Sequence, residues 1–256
     1  MQKIMNRIEL NDLSLTVFYI IGITSLIVME AYIRLLTPFK VLTRGVASTY
    51  DVMIHSDMYT IPLFIMPFIM YYIIKILKNE FNAMRVVRNV NIRNIWLGCI
   101  KELLVIDAIF TVYICIITII AGVALTGKMC NWNEVGSFGY NIAGKTIDIY
   151  PSVIYMIVTY MISIFSVIFI FGIIILYIWW YLKSPVAGMI VAYGILFIEG
   201  AVYLGNVFWG RYMMSFRIYK YGIDVFNEII YPIILCIILF LISTLLIKRR
   251  DFLDKL

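Results

Sequence analysis

From Ser152 to Leu182 the chain reads SVIYMIVTYMISIFSVIFIFGIIILYIWWYL and contains no charged residue. A helix that is apolar on every face must be buried on every side or solvated by lipid. Crossing a hydrocarbon core of about 30 Å takes about 20 such residues. Five further runs qualify, near 13–36, 58–77, 103–125, 185–207 and 229–247. Soluble domains are roughly half apolar and about a quarter charged. This chain of 256 residues is 63% hydrophobic and 14% charged, an excess that no single core of its size can hide. The sequence therefore predicts an all-α, polytopic integral membrane protein: one domain over 1–256 with about six transmembrane helices.

The run at 152–182 is long enough to tilt or to continue past the bilayer. Pro62 and Pro67 fall inside the second run and are expected to kink it, because each removes an intrahelical hydrogen bond. The first run is too long for the apolar part of a cleaved signal, and no small-x-small site follows it. It is read as a retained helix.

Lys and Arg in the loops set the orientation. With the N-terminus inside, thirteen fall on the cytoplasmic side and eight outside, and clusters at 75–101 and 248–250 strengthen that bias. Both termini are expected in the cytoplasm.

The cytoplasmic loop 78–101 contains NEFNAMRVVRNVNIRNIW, from Asn79 to Trp96. Asn79 is suited to N-cap a short helix with Glu80 in its first turn. Phe81, Met84 and Val87 then form an apolar stripe flanked by Arg85, Arg88 and Arg93. Trp96 and Lys101 stand where an interfacial aromatic and a snorkelling cation belong. A positive-inside loop that only fixes topology would explain the arginines. A docking helix for a cytoplasmic partner explains the apolar stripe as well, since an exposed stripe otherwise needs covering.

Six spans, the basic R-V-V-R-N-V-N-I-R-N-I-W segment and a charged I-K-R-R-D-F-L ending resemble the permease subunit of type-2 ATP-binding-cassette exporters, whose bacterial members of about this length move peptides, lipids, polysaccharides or drugs. The resemblance covers nearly the whole chain. It implies location in the cytoplasmic membrane of a bacterium and a coupling helix over 80–95 seated in a separate soluble ATPase. Glu80, Phe81, Met84, Arg85, Val87, Arg88 and Arg93 would make that contact. It also implies a second permease chain, identical or related, with ATP and Mg²⁺ held by the partner ATPase and no cofactor in this chain.

The N-terminal MQKIMNRIELND, residues 1–12, sets Met1, Ile4, Met5 and Ile8 on one face, as an interfacial helix would. In the family this is the amphipathic connecting helix. The segment 205–228 is too polar to cross lipid yet carries Phe208, Trp209, Tyr212 and Phe216 beside Arg211. Two readings stand for it, an aromatic belt loop or the re-entrant outer gate that the resemblance implies. Its position outside the cell excludes a nucleic-acid partner.

An ionisable side chain at mid-bilayer costs about 2.5–3.5 kcal/mol and calls for a partner or a role. Glu30 has Arg34 one turn on, a structural pair. Asp107 is expected about one turn inside the cytoplasmic boundary, neutralised by Lys101, Arg93 or a neighbouring helix. Glu199 is expected deepest, near Gly188, Ala192, Gly194, Gly200 and Ala201, which favour close helix packing. Asp107 would then be a mechanical or coupling residue or part of a structural pair. Glu199 would face a substrate cavity, line a proton route or hydrogen-bond to a Tyr of the same bundle.

GYNIAGKT, with Gly139, Gly144, Lys145 and Thr146, fits the phosphate-binding pattern G-x-x-x-x-G-K-[ST]. A working phosphate loop follows a buried strand and opens a helix. CNWNEVGSF precedes this one, Pro151 follows closely, and the predicted location is outside the cell, where ATP is absent. The match is read as fortuitous. Four scattered cysteines and a single histidine, His55, indicate no disulfide framework or metal site. The chain is thus expected to be no enzyme itself but a permease subunit that converts closure of a partner ATPase into alternating access for an apolar or amphipathic cargo. The alternatives are an ion-coupled carrier using Glu199 or Asp107, or an accessory or immunity membrane protein. Lys145→Ala is expected to leave transport and ATP turnover of the assembled complex unchanged, and loss of nucleotide binding in that variant would restore GYNIAGKT as a site.

Overall fold

The apolar runs fold as helices because hydrocarbon offers a backbone amide no partner but its own chain. The computed structural model describes residues 15–29, 31–32, 47–55, 61–80, 92–135, 137, 151–182, 184–202 and 224–247, and every regular element among them is helical. In chain order these are α1 (Leu15–Met29), α2 (Thr49–His55), α3 (Met66–Glu80), α4 (Ile92–Thr126), α5 (Val153–Leu182), α6 (Pro185–Val202) and α7 (Tyr231–Leu246). Three are long and apolar enough to cross a membrane: α4, α5, and α7 together with the turn before it. The apolar parts of α1, α3 and α6 are shorter. Large apolar side chains lie exposed along the helices, among them Ile109, Ile120, Ile154, Ile190, Phe197 and Leu245. The build is that of a membrane protein, with lipid as the solvent of those faces.

Two boundaries differ from the sequence reading. The helix expected to begin at Leu103 begins at Ile92, so residues 92–101 are helical and continuous with the run behind them. No proline interrupts IRNIWLGCIKE, and apolar residues at helical spacing carry the helix through. Asn79, expected to start a helix, lies instead in the last turn of α3.

Prolines shape two helix starts in the same way. Ile61–Ile65 and Phe226–Ile230 are wide i→i−5 turns, and in each case proline is the second residue of the helix that follows, Pro67 and Pro232. A proline ring crowds the carbonyl four residues back and has no N–H to donate, so the turn before it opens. Asp224 begins the second of these turns, its Oδ1 accepting the Phe226 N–H at 3.1 Å.

The chain divides into two units. The first comprises 1–68 and 113–160. There α1 meets the segment before α3 through Gly22, where an added Cβ would fall 2.1 Å from the Phe64 ring. The Tyr113 hydroxyl donates to the Ile20 carbonyl at 3.1 Å and is hydrogen-bonded to Thr24. Further along, α4 ends at Gly127, whose φ of 67° and N–H bond to Val123 O form a left-handed helix cap.

A buried polar knot follows that cap. Ser48 caps α2, and Asp51 reaches back, its Oδ2 accepting the Ser48 N–H at 2.7 Å and the Ser48 hydroxyl at 2.9 Å. This is a capping box with Asp in the third helical position. The other oxygen, Oδ1, accepts the Trp132 indole N–H at 3.1 Å. The first amides of α2 are satisfied by the Lys128 and Met129 carbonyls, and the Tyr50 hydroxyl donates to Pro151 O. Gly122 makes room, since a Cβ there would lie 2.6 Å from Thr49 Cγ2.

The second unit comprises 69–112 and 161–256. Its α4 and α5 portions run antiparallel, with Trp96 edge-on to Trp180 at 5.5 Å and Leu103 filling the space above Gly172. Helix α6 packs on α5 through Gly188, where a Cβ would come within 2.9 Å of the Ile175 backbone. Ala192 continues that contact stripe, whereas Gly194 faces open space. The Tyr181 hydroxyl donates to Leu246 O at 2.6 Å, tying the ends of α5 and α7.

The knot generates a stability test. Asp51→Ala leaves a buried indole N–H and a buried cap amide without acceptors, so it is expected to destabilise the protein by about 2–3 kcal/mol. Unfolding in detergent followed by tryptophan fluorescence measures this, and a change below about 0.5 kcal/mol, within the range of an ordinary surface substitution, would contradict it.

Candidate functional site

Helix α4 carries Asp107, Thr111, Cys115 and Thr118 at i, i+4, i+8 and i+11, and all four are buried. That spacing puts them on one face of an otherwise apolar helix. Helix α5 carries its own buried polar set, Thr159, Ser163 and Ser166. Small polar side chains of this kind join membrane helices through hydrogen bonds. Thr118 does so within the first unit, its hydroxyl lying 3.0 Å from that of Tyr160.

Asp107 is the exception in this stripe. It is fully buried in the second unit, close to the middle of α4 rather than near an end. The Thr111 hydroxyl donates to its Oδ1 at 3.2 Å, whereas Oδ2 has no hydrogen-bond partner among the described residues. No cation is paired with it among the described residues. Lys101 and Arg93 are both exposed. Six residues of α-helix turn Lys101 by about 120° from Asp107, and fourteen put Arg93 about 21 Å along the axis. Asp107 thus keeps a carboxyl in an apolar setting with one weak hydrogen bond.

Beside it lies a pocket of about 590 Å³ walled by α4, α5 and α7, all within the second unit. Leu104, Ala108, Thr111 and Val112 line it from α4, Phe165, Ser166 and Phe169 from α5, and Ile233, Cys236 and Phe240 from α7. Asp107 sits one hydrogen bond behind the wall, through Thr111. The Cys236 thiol lies against the Ser166 hydroxyl and within electrostatic reach of Asp107. Thr111, Ser166 and Cys236 are the polar points on a lining that is otherwise apolar.

Other sequence-predicted residues stand as follows. Arg93 is exposed in the first turn of α4. Glu80 ends α3, described by its backbone alone. Phe81, Met84, Arg85, Val87 and Arg88 lie outside the described residues, as do Phe208, Trp209, Arg211, Tyr212 and Phe216, the Gly139–Thr146 stretch, Glu30 and Arg34. Glu199 belongs to α6, but its side chain is outside the description. Residues 127–135, which precede GYNIAGKT, form turns. Trp96 departs from expectation: it is fully buried, with Tyr177 and Trp180 against it, and anchors no lipid interface.

Sequence reasoning missed the knot around Asp51 and the pocket. The pattern S-T-Y-D at 48–51 was a signal for the first, being one methylene short of the usual capping box. Cys130 belongs to the knot region, where burial and then the charge of Asp51 push its thiol above the ordinary range, against amide bonds from Trp132 and Asn131. It is therefore a poor nucleophile at neutral pH. No group of side chains suited to a metal ion occurs among the described residues. No known protein family, curated protein or solved structure matches the chain.

Asp107 is expected to react with an apolar carbodiimide such as dicyclohexylcarbodiimide and not with a water-soluble one, read as a mass adduct on its peptide. Equal labelling by the two reagents would show that water reaches the carboxyl.

Proposed function

We propose that this chain is the permease subunit of an ATP-driven exporter in the cytoplasmic membrane of a bacterium, with six spans and both termini in the cytoplasm. The observation that carries the reading is the length and pairing of α4 and α5. With 35 and 30 residues they measure about 52 and 45 Å, against a hydrocarbon core of about 30 Å. At one end Trp96, Tyr177 and Trp180 lock the start of α4 to the end of α5. The basic segment 81–91 leads directly into that end. A rigid helix that starts at the basic segment and continues through the bilayer is a lever: displacement of the segment by an ATPase is delivered to the membrane core without loss in a flexible joint.

The knot supports the same topology. It joins α2 to the turns after α4, two segments between which α3 and α4 each make a crossing in the six-span reading. Two crossings return the chain to the side it left, so both segments share one aqueous face.

An ion-coupled carrier is the second reading, favoured by the buried setting of Asp107, which has no cation paired to it among the described residues. In that case purified chain in proteoliposomes would accumulate cargo on an ion gradient alone.

Phe81→Ala combined with Met84→Ala is expected to lower recovery of the cognate soluble ATPase at least fivefold in co-purification, with membrane insertion unchanged. Full recovery would remove the coupling assignment.

A further inference from the structure

The pocket has the build of a small-molecule site: a concave apolar volume, within the usual range of about 300–1,000 Å³, with a few polar points that set orientation. Each of those points can accept a hydrogen bond. Thr111 spends its hydroxyl proton on Asp107, so the side of Thr111 Oγ1 that meets the pocket is an acceptor. Ser166 Oγ and Cys236 Sγ are the other polar atoms, each able to accept as well as to donate, and no Lys, Arg or His among the described residues contributes to the lining. Behind this set stands a carboxyl with an unused oxygen and no cation paired to it among the described residues. An ionisable side chain held in an apolar bundle marks a functional site, and its natural partner has the opposite charge.

We propose that the cleft between α4, α5 and α7 binds a compact lipophilic amine, with its apolar body against Phe165, Phe169 and Phe240 and its ammonium on Thr111 and Ser166, neutralised by Asp107. Charge and donor–acceptor complementarity select the ligand. An ammonium supplies N–H donors to these acceptor atoms and a positive partner for Asp107, which has none among the described residues. An anion meets no cation there among the described residues, and a neutral acyl chain leaves the polar end unmatched. Thr111 serves as a positioning residue between ligand and carboxyl. Binding is a property of this chain alone and requires neither the ATPase nor transport, so the proposal goes beyond the exporter reading and survives its failure.

The test uses the full chain in nanodiscs of phosphatidylcholine, with tritiated 1-adamantanamine as probe and empty nanodiscs as the partition control. Saturable binding of one amine per chain is expected, and the neutral isostere 1-adamantanol should compete at least tenfold more weakly. Asp107→Asn should weaken amine binding at least tenfold, Thr111→Val several-fold, and Asp107→Glu less than threefold. Ala108→Phe fills the cleft and leaves the carboxyl intact, so it should abolish binding whether or not Asp107→Asn yields a folded protein. Equal binding of amine and alcohol would identify the cleft as an acyl-chain groove and overturn the proposal. Wild-type affinity in Asp107→Asn or in Ala108→Phe would overturn it too.

Discussion

An amide in hydrocarbon has no water to bond, and this single restriction organises the fold. It makes every regular element among the described residues a helix, and it decides what happens where a helix is interrupted. At Pro67 and Pro232 the ladder is broken by a residue that cannot donate, and the chain answers with a wide turn rather than a loop. Where α2 begins inside protein, its first amides are met by the carbonyls of Lys128 and Met129 and its cap by Asp51. Trp132 then shares the same carboxyl. Each device meets one need, that of a polar group with nowhere else to go.

Much of this was legible in the residues. Uncharged runs such as 152–182 announce themselves, and α5 is the most enclosed of the long helices, with 67% of its most apolar window buried against 17% for α7. Lengths were harder to read. The start of α4 looked like a loop because Arg93, Asn94 and Lys101 are polar, yet those residues are exposed while Ile95, Trp96, Cys99 and Ile100 are buried on the other face. A mixed segment at the end of an apolar run is an amphipathic continuation when its apolar residues keep helical spacing. Trp96 was misjudged for the same reason. Its value as an interface marker depends on which face of the helix it occupies, and composition does not carry that information.

The candidate site was legible only in part. Asp107 stood out as a charge in an apolar run, but its depth followed from the true start of α4, and the loss of its presumed partners followed from helical phase. Ser166 and Cys236 carried no signal at all, because a serine or a cysteine in a membrane helix is ordinary until a third element places it beside a carboxyl. Three elements far apart in sequence build the pocket, and pairwise spacing within one helix cannot report it.

The two wide turns have a geometric effect beyond relieving a proline. One surplus residue in a turn advances everything before it by about 100° of azimuth. At the entrance to α7 this phase slip turns Glu228 fully inward and leaves Phe226 half exposed. An acidic group at the mouth of an apolar helix is thereby swung away from the oily surround, and an aromatic ring is handed to it, with no change of sequence order.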